Sequence, residues 1–274
     1  MISANRIEYR GYSSVDFDLK TCMAFESDNG EVSTYLTREA VASESYRGEF
    51  KRIHNFKYTE TFNPKFTFIK DGFGDFTTEE IRKVLRWLTG GANASFLTVY
   101  NDDSNVVHFE ILGGFSEVSL YKLGNGRVVG IVATFESAHP YAFSPIKTIT
   151  KTITGTTNNT FNIDVDSDEE SAIYPRITIQ KNGSGDVTIT NTYADNAQQS
   201  RMVTLQLKNN GDEETIIIDG ANRVISSSHT NRIFGDDFVN WAWLPLYNEI
   251  NTIAIIGNCT VTFEWREPCK LGEF

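Results

Sequence analysis

Short runs in which apolar and polar residues alternate recur along the whole chain. In each run every second side chain is apolar, which is typical of a strand with one buried and one wet face. The clearest runs are residues 15–20, 55–59, 66–68, 161–166, 203–208 and 261–266. The pattern predicts a mainly β protein with antiparallel sheets that are covered on one side.

One segment has a different period and predicts a helix near residues 78–89. Thr77 and Glu80 have the spacing of a capping box, and Gly90 follows the segment as a stop signal. Apolar residues then repeat along one helical stripe: Ile81, Val84, Leu85 and Leu88. We expect this helix to cover a sheet, with Trp87 extending its packed face.

Glycine- and asparagine-rich segments predict the turns between strands. Residues 123–127 read Leu-Gly-Asn-Gly-Arg and predict a hairpin, because asparagine and glycine tolerate positive φ. Residues 181–186 predict a second hairpin, between strands at 176–180 and 187–190.

The segment 138–145 is the expected domain boundary. Pro140 and Pro145 lie within six residues of each other and discourage regular structure. Strands and the helix precede this segment, and short strands with turns follow it. The sequence therefore predicts an N-terminal β domain of residues 1–143 and a C-terminal antiparallel β-sandwich of residues 144–274.

Composition and charge narrow the functional classes. The 274 residues carry a net charge of −11, which argues against a duplex nucleic-acid binder and a sequence-specific reader. Residues 1–11 show no signal peptide and no run is long enough for membrane insertion, so we expect a soluble protein. Three cysteines, of which Cys259 and Cys269 flank a strand, predict free thiols and synthesis in a reducing compartment.

No segment predicts a catalytic, cofactor or metal site. The acidic cluster at 164–170 resembles the start of a Ca²⁺ loop, but Glu169 and Pro175 occupy the places that need glycine and glutamate, so a solvated turn is favoured. The four histidines are too far apart in sequence to predict zinc: His54, His108, His139 and His229. A glycan hydrolase stays open only if two carboxylates face each other across about 5–9.5 Å.

A basic and aromatic stretch offers two interpretations. Cations alternate with rings here: Arg47, Lys51, Arg52 and Lys57 with Tyr46, Phe50, Phe56 and Tyr58. Such a stretch can bind single strands or sugars. The favoured interpretation is a long amphipathic hairpin with a cationic polar face, which can also serve a subunit contact with an acidic neighbour.

A second aromatic cluster contains Trp241 and Trp243, followed by Leu244, Leu246 and Tyr247. The two tryptophans are the candidate carbohydrate contacts of an adhesin, which is the alternative function. Packing in the core of the sandwich is the favoured interpretation, because large aromatic side chains dominate core burial.

Two segments resemble a known family. The segment Trp243–Asn258, which leads into the strand at 259–266, resembles the C-terminal end of siphophage distal tail proteins. The segment Val129–Pro145 resembles the join between the two domains of the same family. The layout of an N-terminal β domain with one helix and then a β-sandwich agrees with it.

The resemblance implies a structural role in the virion. It implies that six N-terminal domains form a ring that continues the tail tube, lets DNA pass, and carries galectin-like C-terminal domains outside. The implied partners are the tail tube protein, the end of the tape-measure protein, the tail-associated hub protein and receptor-binding proteins. The chain would be made in the bacterial host cytoplasm, act at the tail tip and have no enzymatic activity.

Overall fold

The computed structural model describes residues 4–24, 38–44, 51–58, 61, 63–101, 106–155, 158–194, 199–235 and 237–270. The chain divides into two compact units. Unit 1 comprises Met1–Phe143 with Lys270–Phe274, and unit 2 comprises Ser144–Cys269. Both units consist mainly of antiparallel strands, and the described residues contain one α-helix, so the mainly β prediction is confirmed.

Unit 1 contains ten strands and two helical segments within its described residues. In chain order they are β1 (Ala4–Tyr9), β2 (Tyr12–Ser13), the 3-10 helix η1 (Ser14–Phe17), β3 (Leu19–Ala24), β4 (Arg38–Glu44), β5 (Lys51–Tyr58), β6 (Lys65–Lys70), α1 (Thr78–Thr89), β7 (Ser95–Asn101), β8 (Val107–Lys122), β9 (Val128–Ser137) and β10 (Ala142–Phe143). The predicted turn at 123–127 joins β8 to β9, with Gly126 at φ +82°.

The longest described strand of unit 1, β8, joins two parts of the main sheet. The order of this sheet is β2-β1-β7-β8-β9-β6-β3, with β10 beside β8. The first half of β8 pairs with β7 and the second half pairs with β9, and the two pairings meet at Gly113. A side chain at this position would overlap the carbonyl oxygen of Glu136, so glycine permits the close approach.

Helix α1 forms as its sequence predicts. Thr77 Oγ1 accepts from the Glu80 N–H at 3.3 Å, and the Glu80 carboxylate accepts from the Thr77 N–H at 2.7 Å. Val84, Trp87 and Leu88 are buried in the core of unit 1. The Trp87 indole N–H donates to the Tyr9 carbonyl at 2.9 Å, so the expected packing of Trp87 is confirmed and fixes α1 to β1.

The strand predicted over residues 15–20 is correct for Leu19 and Lys20, which begin β3, and wrong for Val15–Phe17. These residues form η1, because Ser13 and Asp16 build a capping box that favours a helical turn. Asp18 then adopts the left-handed conformation at φ 54° and directs the chain into β3. Val15 is left exposed outside the core.

In the described part of unit 2 there are ten further strands. They are β11 (Lys147–Ile153), β12 (Asn159–Val165), β13 (Arg176–Lys181), β14 (Gly185–Ala194), β15 (Ser200–Asn210), β16 (Thr215–Asp219), β17 (Val224–Ser227), β18 (Glu249–Ile256), β19 (Cys259–Trp265) and β20 (Pro268–Cys269).

Two antiparallel sheets of unit 2 share one hydrophobic core. Their orders are β11-β19-β13-β16-β17 and β12-β18-β14-β15. Inward-facing residues from both sheets are buried together, including Ile177, Ile189, Ile253 and Phe263. The predicted β-sandwich is therefore confirmed. Its core consists of the apolar faces that the alternating strands of the two sheets contribute.

The second predicted hairpin, at residues 181–186, is wrong. The turn is present, but β13 pairs with β16 and β19, whereas β14 pairs with β15 and β18 in the other sheet. Turn residues fix where the chain reverses, but they do not choose the pairing partner. Here the segment crosses between the sheets of the sandwich.

Cys259 is buried in the sandwich core and Cys269 is partly buried, and both are free thiols, as predicted. The side chain of Cys22 lies outside the described residues. Helix α1 is neither long enough nor apolar enough to cross a membrane, and the described residues contain no other candidate span.

Candidate assembly interface

The two candidate carbohydrate contacts differ in their surroundings. Trp241 is 43 % exposed and has φ +53°, a left-handed conformation that is rare for a bulky residue. Trp243 is half-buried and packs against the core of unit 2. The Arg223 guanidinium lies 5.3 Å from the Trp243 ring centroid and 3.8 Å from that of Tyr174. Only Trp241 therefore presents a substantially open ring.

Two neighbours in the same cluster belong to the core of unit 2, which is the favoured interpretation. Leu244 and Leu246 are buried, and Leu246 forms a β-bridge with Ile173. Tyr247 stacks on Tyr193 with ring centroids 4.6 Å apart.

The four histidines lie in different surroundings. His54 shares a hydrogen bond with Ser43, and His139 stacks on Tyr141. Burial lowers the pKa of His108 and of His139. His229 lies 3.7 Å from the Glu214 carboxylate, in unit 2. Within the described part of the chain, no group of three histidine, cysteine or acidic side chains could hold a metal ion.

The basic and aromatic stretch forms a hairpin that stands apart from the main sheet. Strands β4 and β5 pair only with each other among the described elements. Every described side chain from Arg38 to Lys57 in the two strands is exposed, and Tyr58 contacts the Tyr141 ring at 6.4 Å. A two-stranded hairpin with no packed face is marginally stable in water, so a covering surface would stabilise it.

One face of this hairpin is apolar. A bulge in the middle of the pairing places Ala42 opposite Ile53 and Ala40 opposite Phe56. Paired residues share a face, so these four side chains lie together. Ile53 is 54 % exposed and Phe56 is 49 % exposed. The Arg38 guanidinium lies 5.5 Å from the Phe56 ring centroid and lines the same face. We call this set the hairpin patch.

The opposite face of the hairpin is polar. Lys57 pairs with Glu39 at 3.4 Å, and Ser43 shares a hydrogen bond of 2.7 Å with His54. The predicted hairpin is therefore confirmed. Its cationic polar face is not seen in the described side chains, because Lys57 is paired with Glu39 and Arg38 lies on the apolar face. Arg47, Tyr46 and Phe50 lie outside them, and Lys51 and Arg52 are described by their backbone alone.

The hairpin segment differs in charge from the rest of the chain. Residues 38–58 contain five basic and three acidic residues, whereas the whole chain has a net charge of −11. An acidic surface on another copy of the chain is therefore electrostatically complementary to this segment.

Two carboxyl groups near the start of α1 have lowered pKa values. The Lys70 ammonium donates to Glu80 at 2.7 Å, and this bond together with the Thr77 N–H lowers the Glu80 pKa to about 2. The Arg127 guanidinium likewise lowers the pKa of Asp75. Both pairs lie at or just before the first turn of α1.

A buried carboxylate network in unit 2 was not predicted from the sequence. The Glu214 side chain is fully buried and accepts hydrogen bonds from Arg232 Nε at 2.8 Å, Ser227 Oγ at 2.6 Å and the Gly211 N–H at 2.7 Å. Burial alone would raise the Glu214 pKa, but these bonds outweigh it and lower the pKa. Glu214 follows Asp212 and Glu213 in sequence, and nothing in that acidic run marks one residue as buried.

Comparisons with known proteins identify the class. Residues 2–139 match the family model described as the phage tail protein N-terminal domain, and residues 141–265 match the model described as the phage tail C-terminal domain. The chain therefore belongs to this family of phage tail proteins. A comparison with curated proteins by sequence found no match.

Solved structures share the fold. The crystal structure of SPP1 Dit, described as a paradigm of the hub adsorption apparatus in phages that infect Gram-positive bacteria, matches with a TM-score of 0.59 and 12 % identity. The match covers 95 % of this chain and 98 % of that one. A chain in the activated phage P2 baseplate with Ca matches with a TM-score of 0.53 and 9 % identity, over 97 % and 98 % of the two chains. The resemblance to distal tail proteins noted in the sequence is confirmed.

Proposed function

We propose that this chain is a structural subunit of a ring at the distal end of a long phage tail. Membership of the phage tail family and the fold shared with SPP1 Dit support this role. The observation that carries it is the hairpin patch, because an exposed apolar face on a hairpin with no core needs a neighbour.

Unit 1 forms the ring in this proposal. The hairpin patch of one copy packs on the next copy, and the cationic residues of the hairpin face acidic surface there. Each side of the main sheet ends in a strand with one partner, β2 or β3, among the described residues. Ring closure also protects such edges from unwanted pairing.

The ring is hexameric in this proposal and joins the tail tube to the baseplate hub. Its partners are the tail tube protein, the end of the tape-measure protein, the tail-associated hub protein and receptor-binding proteins. The protein is made in the host cytoplasm, is assembled into the tail tip and does not catalyse a reaction. An acidic subunit lets DNA slide through the lumen without trapping it.

Native mass spectrometry and negative-stain imaging of the full chain test the ring. We expect a hexamer for the wild type, and smaller species for Ile53→Asp and Phe56→Asp. Placing a charge in the hairpin patch removes about 1–2 kcal/mol of apolar burial from each interface. A ring of six repeats this loss six times, so few rings should remain.

Ile233→Asp is the matched control, because Ile233 is an exposed isoleucine of unit 2. It should leave the hexamer intact. If both hairpin variants still formed rings of wild-type size, the hairpin patch would not be part of the interface. A strict monomer, even with the tail tube and hub proteins added, would contradict the ring itself.

The second candidate function is carbohydrate binding through unit 2. It rests on the open ring of Trp241 and its left-handed backbone, since strained residues cluster at functional sites. A glycan array probed with the full chain and with Trp241→Ala tests it. Binding that the variant loses supports an adhesin, and equal signals from both proteins reject Trp241 as the contact.

A further inference from the structure

A pocket of about 560 Å³ lies in unit 1 beside the C-terminal end of α1. One wall is aromatic: Phe17 stacks on Trp87 with ring centroids 4.8 Å apart, and Tyr12 is tilted at 6.2 Å from Phe17. The Trp87 N–H is already bonded to the Tyr9 carbonyl, so this wall offers apolar ring surface. Tyr12 is 57 % exposed, which leaves its ring open to a bound group.

Three cations also line the pocket. Arg10 donates to the Asn93 carbonyl at 2.7 Å, and its guanidinium occupies the space over Gly91 that a side chain there would fill. Lys83 pairs with the exposed Glu79 at 3.0 Å. Arg86 is exposed on α1 and has no ion pair among the described residues.

No carboxylate lines this pocket, although the chain as a whole is acidic. Arginine binds carboxylates through two parallel hydrogen bonds, and aromatic rings pack well on other rings. The C-terminal end of α1 adds partial negative charge, which offsets part of the cationic charge. This balance suits single carboxylates better than a multiply charged phosphate group.

We propose that the pocket is a docking site for an acidic, aromatic peptide segment of a partner protein. Its carboxylate binds Arg86 and the free side of Arg10, and its ring packs on Tyr12 and Phe17. The inference depends on the pocket alone and does not require the ring described above.

The test uses a dye-labelled, capped peptide of glutamate, phenylalanine and glutamate, titrated with the full chain and followed by fluorescence anisotropy. Arg86→Ala should weaken binding about tenfold, as expected when one charge-assisted hydrogen bond is lost. Arg82→Ala is the matched control, because Arg82 is exposed on the same helix and does not line the pocket.

Competitors identify the chemistry that is recognised. The glutamine analogue of the peptide, which keeps the ring and loses both charges, should compete at least tenfold more weakly. Equal affinity for Arg86→Ala and Arg82→Ala would overturn the site, as would equal competition by the glutamine analogue. Stronger competition by inorganic phosphate or by oligothymidylate would also overturn it, in favour of a phosphate-bearing ligand. The oligomer mass of each variant is measured in parallel, so loss of the ring and loss of the peptide site are distinguished.

Discussion

Removing Arg232 should leave a buried negative charge in unit 2 without its charged partner. The Glu214 side chain is fully buried, and Arg232 provides its charged partner, with Arg232 itself packed 4.5 Å from the Phe238 ring centroid. Breaking a buried ion pair by deleting one partner costs about 3–5 kcal/mol. We therefore expect Arg232→Met to lower the free energy of unfolding by about 3–4 kcal/mol at pH 7.

The size of this effect can be worked out from protonation. Without Arg232, burial is opposed only by the hydrogen bonds from Ser227 and Gly211, and we expect the Glu214 pKa to rise above its ordinary value of 4.5. Protonating a carboxyl of pKa 4.5 at pH 7 costs about 3.4 kcal/mol, at about 1.36 kcal/mol per pH unit. The folded variant can avoid the buried charge by protonating Glu214, so the loss of stability from the unpaired charge cannot exceed this cost. The cost falls to about 0.7 kcal/mol at pH 5.

The sign of the pH dependence follows from the two pKa shifts. In the wild type the lowered Glu214 pKa contributes stability above pH 4.5 that is lost as the pH falls below it. In Arg232→Met the raised pKa contributes stability at low pH that is lost as the pH rises. The difference between the two proteins should therefore be larger at pH 7 than at pH 5.

Urea unfolding at both pH values, followed by tryptophan fluorescence, measures this difference. Three of the four tryptophans lie in unit 2, so the signal reports mainly on that unit. The double variant Glu214→Gln with Arg232→Met should be more stable at pH 7 than Arg232→Met alone. Arg201→Met, at an exposed arginine of β15, should change stability by less than about 0.5 kcal/mol. A cost below 1 kcal/mol, or one that is equal at the two pH values, would refute the reasoning.

Three further predictions concern unit 1. The pKa of the Glu80 carboxyl, measured by NMR, should be about 2, and Lys70→Met should raise it. The stability that ionised Glu80 contributes is present above pH 4.5 and is lost as the pH falls towards 2. Trp87→Phe should cost about 1–3 kcal/mol in denaturant unfolding, because a buried strand carbonyl loses its donor; no change would mean that the bond contributes nothing. Gly113→Ala should lower the Tm of unit 1 because its methyl group has no space, whereas Gly124→Ala, which meets no atom within 4 Å, should not; equal Tm values would contradict the close approach.

The sequence predicts best where local chemistry decides the structure. Helix α1 has its own capping box and apolar stripe, so its bounds follow from residues that are neighbours in the chain. The same local rule explains the error at Val15, where the alternating run 15–20 suggested a strand and the Ser13 cap favoured a turn of helix. A short alternation is weaker than two hydrogen bonds that cap the backbone.

Contacts between residues that are far apart in the chain could not be predicted from the sequence. The turn at 181–186 is correct as a turn, but the partner of β14 is selected by the core of the whole sandwich. The hairpin β4–β5 was predicted with its charges, yet its exposed apolar face depends on what the rest of unit 1 leaves uncovered. Glu214 is buried because Arg232 reaches it from a distant loop, a pairing that no local pattern encodes.

The change of pairing partner at Gly113 of β8 has a mechanical consequence for unit 1. The strands on the β7 side and those on the β9 side are joined by the unbroken backbone of β8. A force along β8 is carried by covalent bonds, and rows of hydrogen bonds on either side resist it in shear rather than opening one at a time. Gly113 itself is packed against Glu136 and Phe135 and pairs with both neighbouring strands, so it does not weaken the joint. Unit 1 should therefore be stiff when it is stretched along β8.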